Sequence, residues 1–189
     1  ARLDLENCNL ITDLSPLANC TTLTNLDLSW NYNMANEILS TLPVSLELTS
    51  LDLTTCTEIT DLSPLASYTA LTSLNLENCD QITDLSPLAS CTALTWLYLG
   101  DCTQITDQIL STLPVSLELT NLNLHGCTRI TDLSPLASCT ALTSINLEYC
   151  TRITDLSPLA NHPTLSELIG PDGDEVDLIS LSNTQQPGP

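Results

Sequence analysis

Lysine is absent from this chain, phenylalanine too, and only Arg2, Arg129 and Arg152 carry a fixed positive charge. Set against 23 acidic residues, that leaves a formal charge of −20 at pH 7. Such a chain repels nucleic acid and anionic lipid and favours basic or neutral partners, or none. The missing lysines have two readings: drift within a young array that copied a lysine-free unit, or selection against ubiquitination. Aromatic residues make up only 3 % of the chain, so leucine must fill the core. No run of 18 uninterrupted apolar residues occurs, and no membrane insertion is expected. An initiator methionine and a charged-then-apolar leader are missing as well, which reads as a fragment or a processed product.

Nine cysteines are present, yet no two form a C-x-x-C pair, so zinc is not expected. Cys8, Cys56, Cys79, Cys102, Cys127 and Cys150 share one repeat position; Cys20, Cys91 and Cys139 share another. Stacked one strand apart, ~4.8 Å, with parallel side-chain vectors, they suit small buried fillers better than disulfides. The strand-exit cysteines, the first of these columns, are expected to be reduced and buried. Free thiols favour a reducing, cytoplasmic compartment, and a secreted or surface location stays open.

What the chain does have is a repeat. Its opening leucines fall at Leu23, Leu48, Leu71, Leu94, Leu119, Leu142 and Leu165, and a copy shortened at the front supplies Leu3, Leu5 and Cys8. The spacing is 23 or 25 residues, which means one elongated stack of supersecondary units. A larger block, 23–93, recurs at 94–164 with 46 of 71 positions identical. The division expected is a solenoid over 1–169 and a capping strand with a tail over 170–189.

Within one unit, Leu74 and Leu76 alternate with Ser73 and Asn75, the period of a strand with one buried face. Strands are expected near 2–5, 25–28, 50–53, 73–76, 96–99, 121–124 and 144–147. Asp84-Leu85-Ser86-Pro87-Leu88-Ala89 then offers a polar cap and an early proline, the makings of one 3-10 turn. The 25-residue units lack that proline at Ile38–Pro43 and Ile109–Pro114, so a slightly longer helical segment is expected there. Val176–Leu181 reads as a strand covering the end of the stack, and Asn183–Pro189 as a frayed tail.

The phrases Ile11-Thr12-Asp13-Leu14-Ser15-Pro16-Leu17-Ala18 and Leu23-Thr24-Asn25-Leu26-Asp27-Leu28 resemble the leucine-rich repeat superfamily. Their cadence is similar to bacterial internalin-like repeats, and the cysteine before I-T-D is similar to the repeats of F-box-type proteins. The resemblance implies an α/β repeat fold: a right-handed leucine-rich repeat solenoid with a parallel concave sheet and short 3-10 or helical turns on its convex side. It also implies function by binding other proteins. Two departures stand out: the strand-exit asparagine of internalin-like repeats survives only at Asn31, and no helical cap opens the chain. A secreted, invasion-type role therefore does not carry over.

Exposed strand positions are expected to form the binding face. Trp96 and Tyr98 stand side by side among small polar residues, as interface anchors do. Asn123, His125, Asn75, Glu77, Asp52 and Asp27 complete the candidate site, with His125 either joining the ring pair or standing as a solvated imidazole. His162 falls in a cysteine column and reads as packing. No catalytic residue, metal site or cofactor is expected, because no nucleophile–base set can be assembled from two histidines at unrelated repeat positions. The ladder Asp13, Asp61, Asp84, Asp107, Asp132 and Asp155 reads as turn caps rather than calcium ligands. Arg129 and Arg152 read as a solvated pair.

The function expected is a non-enzymatic protein-binding scaffold. The alternative is a structural protein that self-assembles end to end, because the outer edge of the first strand has unpaired backbone groups. That edge is expected to be covered by an upstream segment or a neighbouring copy.

Overall fold

The computed structural model describes residues 1–183. Eight three-residue strands form one open parallel sheet in sequential order: β1 Arg2–Asp4, β2 Asn25–Asp27, β3 Ser50–Asp52, β4 Ser73–Asn75, β5 Trp96–Tyr98, β6 Asn121–Asn123, β7 Ser144–Asn146 and β8 Glu167–Ile169. The expected alternation is present in all seven segments named from sequence, and β8 adds an eighth. Register is constant along the sheet, so Leu3, Leu26, Leu51, Leu74, Leu97, Leu122, Ile145 and Leu168 form one apolar row. The result is a leucine-rich solenoid whose core runs the length of the sheet.

Turns on the opposite side follow from proline placement. Where Ser-Pro opens the segment, the chain forms a short 3-10 turn, as at Ser86–Ser90. Asp84 accepts from the Ser86 N–H at 2.8 Å and from its hydroxyl. Asp13, Asp61, Asp132 and Asp155 do the same for the serine N–H two residues on. These bonds hold the carboxyls of Asp13, Asp61, Asp84 and Asp155 below the usual carboxylate range. Asp107 differs: it opens a helix and accepts from Thr131 and Asp132 of the next repeat.

Without the early proline the turn becomes α-helical, at α1 Asn36–Leu39 and α2 Asp107–Leu110. At four residues each they are shorter than the four 3-10 turns of five residues, contrary to expectation, and longer only than the three-residue turn Ser157–Leu159. Pro43 and Pro114 lie four residues beyond these helices, where the α region is closed to the residue preceding a proline. The end of the stack also differs. Val176–Leu181 is not a strand: α3 occupies Leu178–Asn183, and Val176, Leu178 and Leu181 pack against the core. Residues 184–189 of the expected tail lie outside the described part.

Two columns knit the repeats together. From Thr49 to Thr143, each threonine after an opening leucine donates its hydroxyl to the equivalent threonine carbonyl of the preceding repeat, as Thr72 does to Thr49 at 2.8 Å. Each buried strand-exit cysteine donates to a leucine carbonyl one repeat back: Cys56 to Leu28, Cys79 to Leu53, Cys102 to Leu76, Cys127 to Leu99 and Cys150 to Leu124, at 3.0–3.2 Å. Burial pushes the thiols of Cys56 and Cys102 up to about 12 and that of Cys150 to about 11, and raises those of Cys79 and Cys127 as well. Cys8 is exposed, contrary to expectation, and so is Cys20 of the other column. They belong to the outermost described repeat, which packs against a described neighbour on one side only.

One position at each strand exit from β1 to β7 adopts a left-handed backbone. Asn7, Asn78, Asp101 and Gly126 suit it, whereas Trp30, Thr55 and Tyr149 at φ near +60° do not. Thr55 is β-branched, and its buried hydroxyl has no partner. Its counterpart in the second 71-residue block is Gly126. Thr55→Gly is therefore expected to stabilise the fold by about 1 kcal/mol, since relief of strain and of an unpaired hydroxyl outweighs the added chain entropy. Urea unfolding checks this, and a lower midpoint in the variant contradicts it.

Candidate protein-binding face

Outward side chains on the sheet fall in columns. The one after the central leucine row runs Asp4, Asp27, Asp52, Asn75, Tyr98, Asn123 and Asn146. Six of these behave alike, a side-chain oxygen accepting from the backbone N–H two residues on, at 2.9–3.1 Å. The candidate residues Asp27, Asp52, Asn75 and Asn123 thus help to shape the strand exits. Tyr98 alone has no oxygen in reach, and the N–H of Gly100 goes without that cap.

Trp96 and Tyr98 stack with ring centroids 6.2 Å apart and planes inclined by 24°. Trp96 is 43 % exposed, while partial burial raises the Tyr98 hydroxyl's pKa. Beside them a shallow groove of about 180 Å³ crosses the sheet, bordered by Asn121, Asn123, Ser144, Asn146, Glu167 and Ile169. The chemistry is two flat rings, a row of neutral amides and one carboxylate. That suits a ligand with apolar or cationic groups and hydrogen-bonding capacity.

The other candidates are placed as follows. Asn75 pairs in register with Tyr98, and the Glu77 side chain lies over Gly100, 3.4 Å from where a Cβ would stand. His125 does not stack on the ring pair. Its ring stands edge-on to Tyr149, centroids 5.1 Å apart, with Nδ1 3.6 Å from Asp101 Oδ2. Asp27 and Asp52 lie apart from the rings in a second hollow of about 150 Å³, which they share with Arg2 and Ser50. Arg2 reaches Asp27 at 3.4 Å there. The groove residues Asn121, Ser144, Asn146 and Glu167 occupy the same outward columns, but register alone did not single them out. Tyr149 was missed, although its counterpart Asn78 made the substitution visible.

A model of leucine-rich repeats in two copies matches residues 46–90, 69–114 and 118–161, more than half of the chain. The chain belongs to the leucine-rich repeat family. Among solved structures it is similar to internalin C2 from Listeria monocytogenes, with 38 % identity, 88 % of this chain and 69 % of that one covered, and a TM-score of 0.65. A second internalin from that organism is 32 % identical over 83 % of this chain, TM-score 0.53, and this chain spans 50 % of its length. LegL7, a leucine-rich repeat-containing protein from Legionella pneumophila, shares the fold at 21 % identity, with 96 % of this chain and 69 % of that one covered and a TM-score of 0.56. No curated protein matches. Leucine-rich repeat proteins generally serve as protein-interaction scaffolds, typically without catalysis.

His162 stands in its column as a packing group, its Nε2 3.1 Å from the Cys139 carbonyl. Arg129 bonds to Gln104. Among the described residues, no three His, Cys, Asp or Glu side chains gather closely enough to hold a metal ion, and no helix is long and apolar enough to cross a membrane.

Proposed function

We propose that this leucine-rich repeat protein is a non-enzymatic scaffold that binds a protein partner on its sheet face, with Trp96 and Tyr98 as anchors. The observation that carries this reading is Tyr98 itself. Every other described position of its column up to β7 holds an aspartate or asparagine that caps the strand exit. A tyrosine there forgoes a hydrogen bond worth about 1 kcal/mol and exposes a ring beside a tryptophan. Large aromatics flanked by amides and a shallow groove are what a partner's central contacts require.

The experiment is site-specific photo-crosslinking. A benzoylphenylalanine at position 96, in an extract of the source organism, is expected to give a discrete protein adduct. The same probe at position 25, the equivalent place in the first block, is expected to give none. Equal labelling from both positions, or no adduct from position 96, rules this reading out.

A further inference from the structure

The two 71-residue blocks act as an internal control on the surface. Asn25, Asp27, Thr54 and Asn78 in the first become Trp96, Tyr98, His125 and Tyr149 in the second. Four polar side chains are replaced by four rings, and the register puts those rings in line. Trp96 and Tyr98 lie on β5, His125 two residues past β6, and Tyr149 three past β7. They run diagonally over roughly 20 Å, the reach of about six extended residues.

Carboxylates are set into this line. Gly100, which stands between Glu77 and His125 in the column two residues past the strands, leaves space that the Glu77 side chain fills, its carboxyl carbon 3.5 Å from the vacant Cβ position. Gly126 makes the matching allowance for Asp101, whose Oδ1 would stand 2.1 Å from a Cβ there. The two glycines thus keep two carboxylates among four rings. The basic residue on the outward strand columns is Arg2, four strands away on β1.

We infer that this diagonal holds an extended, arginine-bearing segment of the partner protein. The inference rests on the sheet face being the binding surface. A guanidinium lies flat on aromatic rings and pairs in a planar fork with carboxylates, and here both features lie on one stretch of the sheet face. An apolar helix laid on the same line would cover Glu77 and Asp101 with no counter-charge.

The test uses a fluorescently labelled hexa-arginine peptide, with hexa-lysine as comparison, in anisotropy titrations at about 150 mM salt, near physiological screening. The variants are Trp96→Asn, His125→Thr, Tyr149→Asn and Glu77→Gln. The first three restore residues that the first block already holds at equivalent places, which guards the fold. Expected results are hexa-arginine binding at least fivefold tighter than hexa-lysine, and at least a threefold loss in each variant. Equal affinity for the two peptides overturns the inference. So does full affinity in both Tyr149→Asn and Glu77→Gln; if Trp96→Asn alone is impaired, the sheet-face reading survives without the diagonal. Indifference to all four variants, together with no crosslink from position 96, removes both.

Discussion

Raising the pH from 8 to about 10.5 is expected to unfold this protein. Five strand-exit thiols, of Cys56, Cys79, Cys102, Cys127 and Cys150, are buried and hydrogen-bonded as donors, and burial raises the pKa of each. In the unfolded chain a thiol ionises near 8.5. Below that pH both states hold the proton and the thiols' contribution is intact. Above it the unfolded chain releases protons that the folded chain retains until about pH 11–12. Stability therefore falls through this window, by ~1.4 kcal/mol per pH unit for each thiol. Five together approach ~7 kcal/mol per unit, against a total stability of ~5–15 kcal/mol for an ordinary domain. Urea midpoints at pH 7.5, 9 and 10 measure the slope, and Cys102→Ala should reduce it by about a fifth. A midpoint unchanged up to pH 10.5 would show that these thiols are not held protonated by the fold.

The second large effect concerns position along the stack. Leu97 is fully buried at mid-array, whereas Leu3, its counterpart in the same row, is only half-buried. Leu97→Ala is expected to cost about 3–5 kcal/mol, because rigid neighbours on both sides leave the cavity open. Leu3→Ala is expected to cost about 1 kcal/mol, with fraying confined to the first repeat. Equilibrium unfolding followed by circular dichroism separates the two. Equal costs would mean that stability is not passed from neighbour to neighbour.

Most of the architecture was legible because two periods coincide in this chain. Alternation of two placed the strands, and the 23- or 25-residue spacing placed each leucine row in register. What alternation could not disclose was the work of small polar side chains. Asp27, Asp52, Asn75 and Asn123 read as a binding surface, yet each has an oxygen committed to a nearby N–H. The signal was their constancy beside changing neighbours, which marks a backbone need. Trp96 and Tyr98 stood out because they break that constancy.

The error at the C-terminal end has a similar cause. Val176-Asp177-Leu178-Ile179-Ser180-Leu181 alternates loosely enough to pass for a strand. Asp177, however, accepts from the N–H groups of Ile179 and Ser180 and from the Ser180 hydroxyl, and so starts a helix. Leu178 and Leu181 are then three apart on one face. An aspartate followed three residues later by serine carried the information. Exposure of Cys8 and Cys20 was beyond any reading by column, since a column treats every repeat as internal.

The block duplication bears on how the gene can change. A misaligned crossover between the second block of one allele and the first block of another adds or removes 71 codons. The product keeps the same order of 25-, 23- and 23-residue units, so its leucine rows and its threonine column stay in register across the new junction. Where the exchange falls decides what is inherited. Before codon 96 it lengthens the array and leaves one line of rings; beyond codon 149 it yields two such lines in a single step.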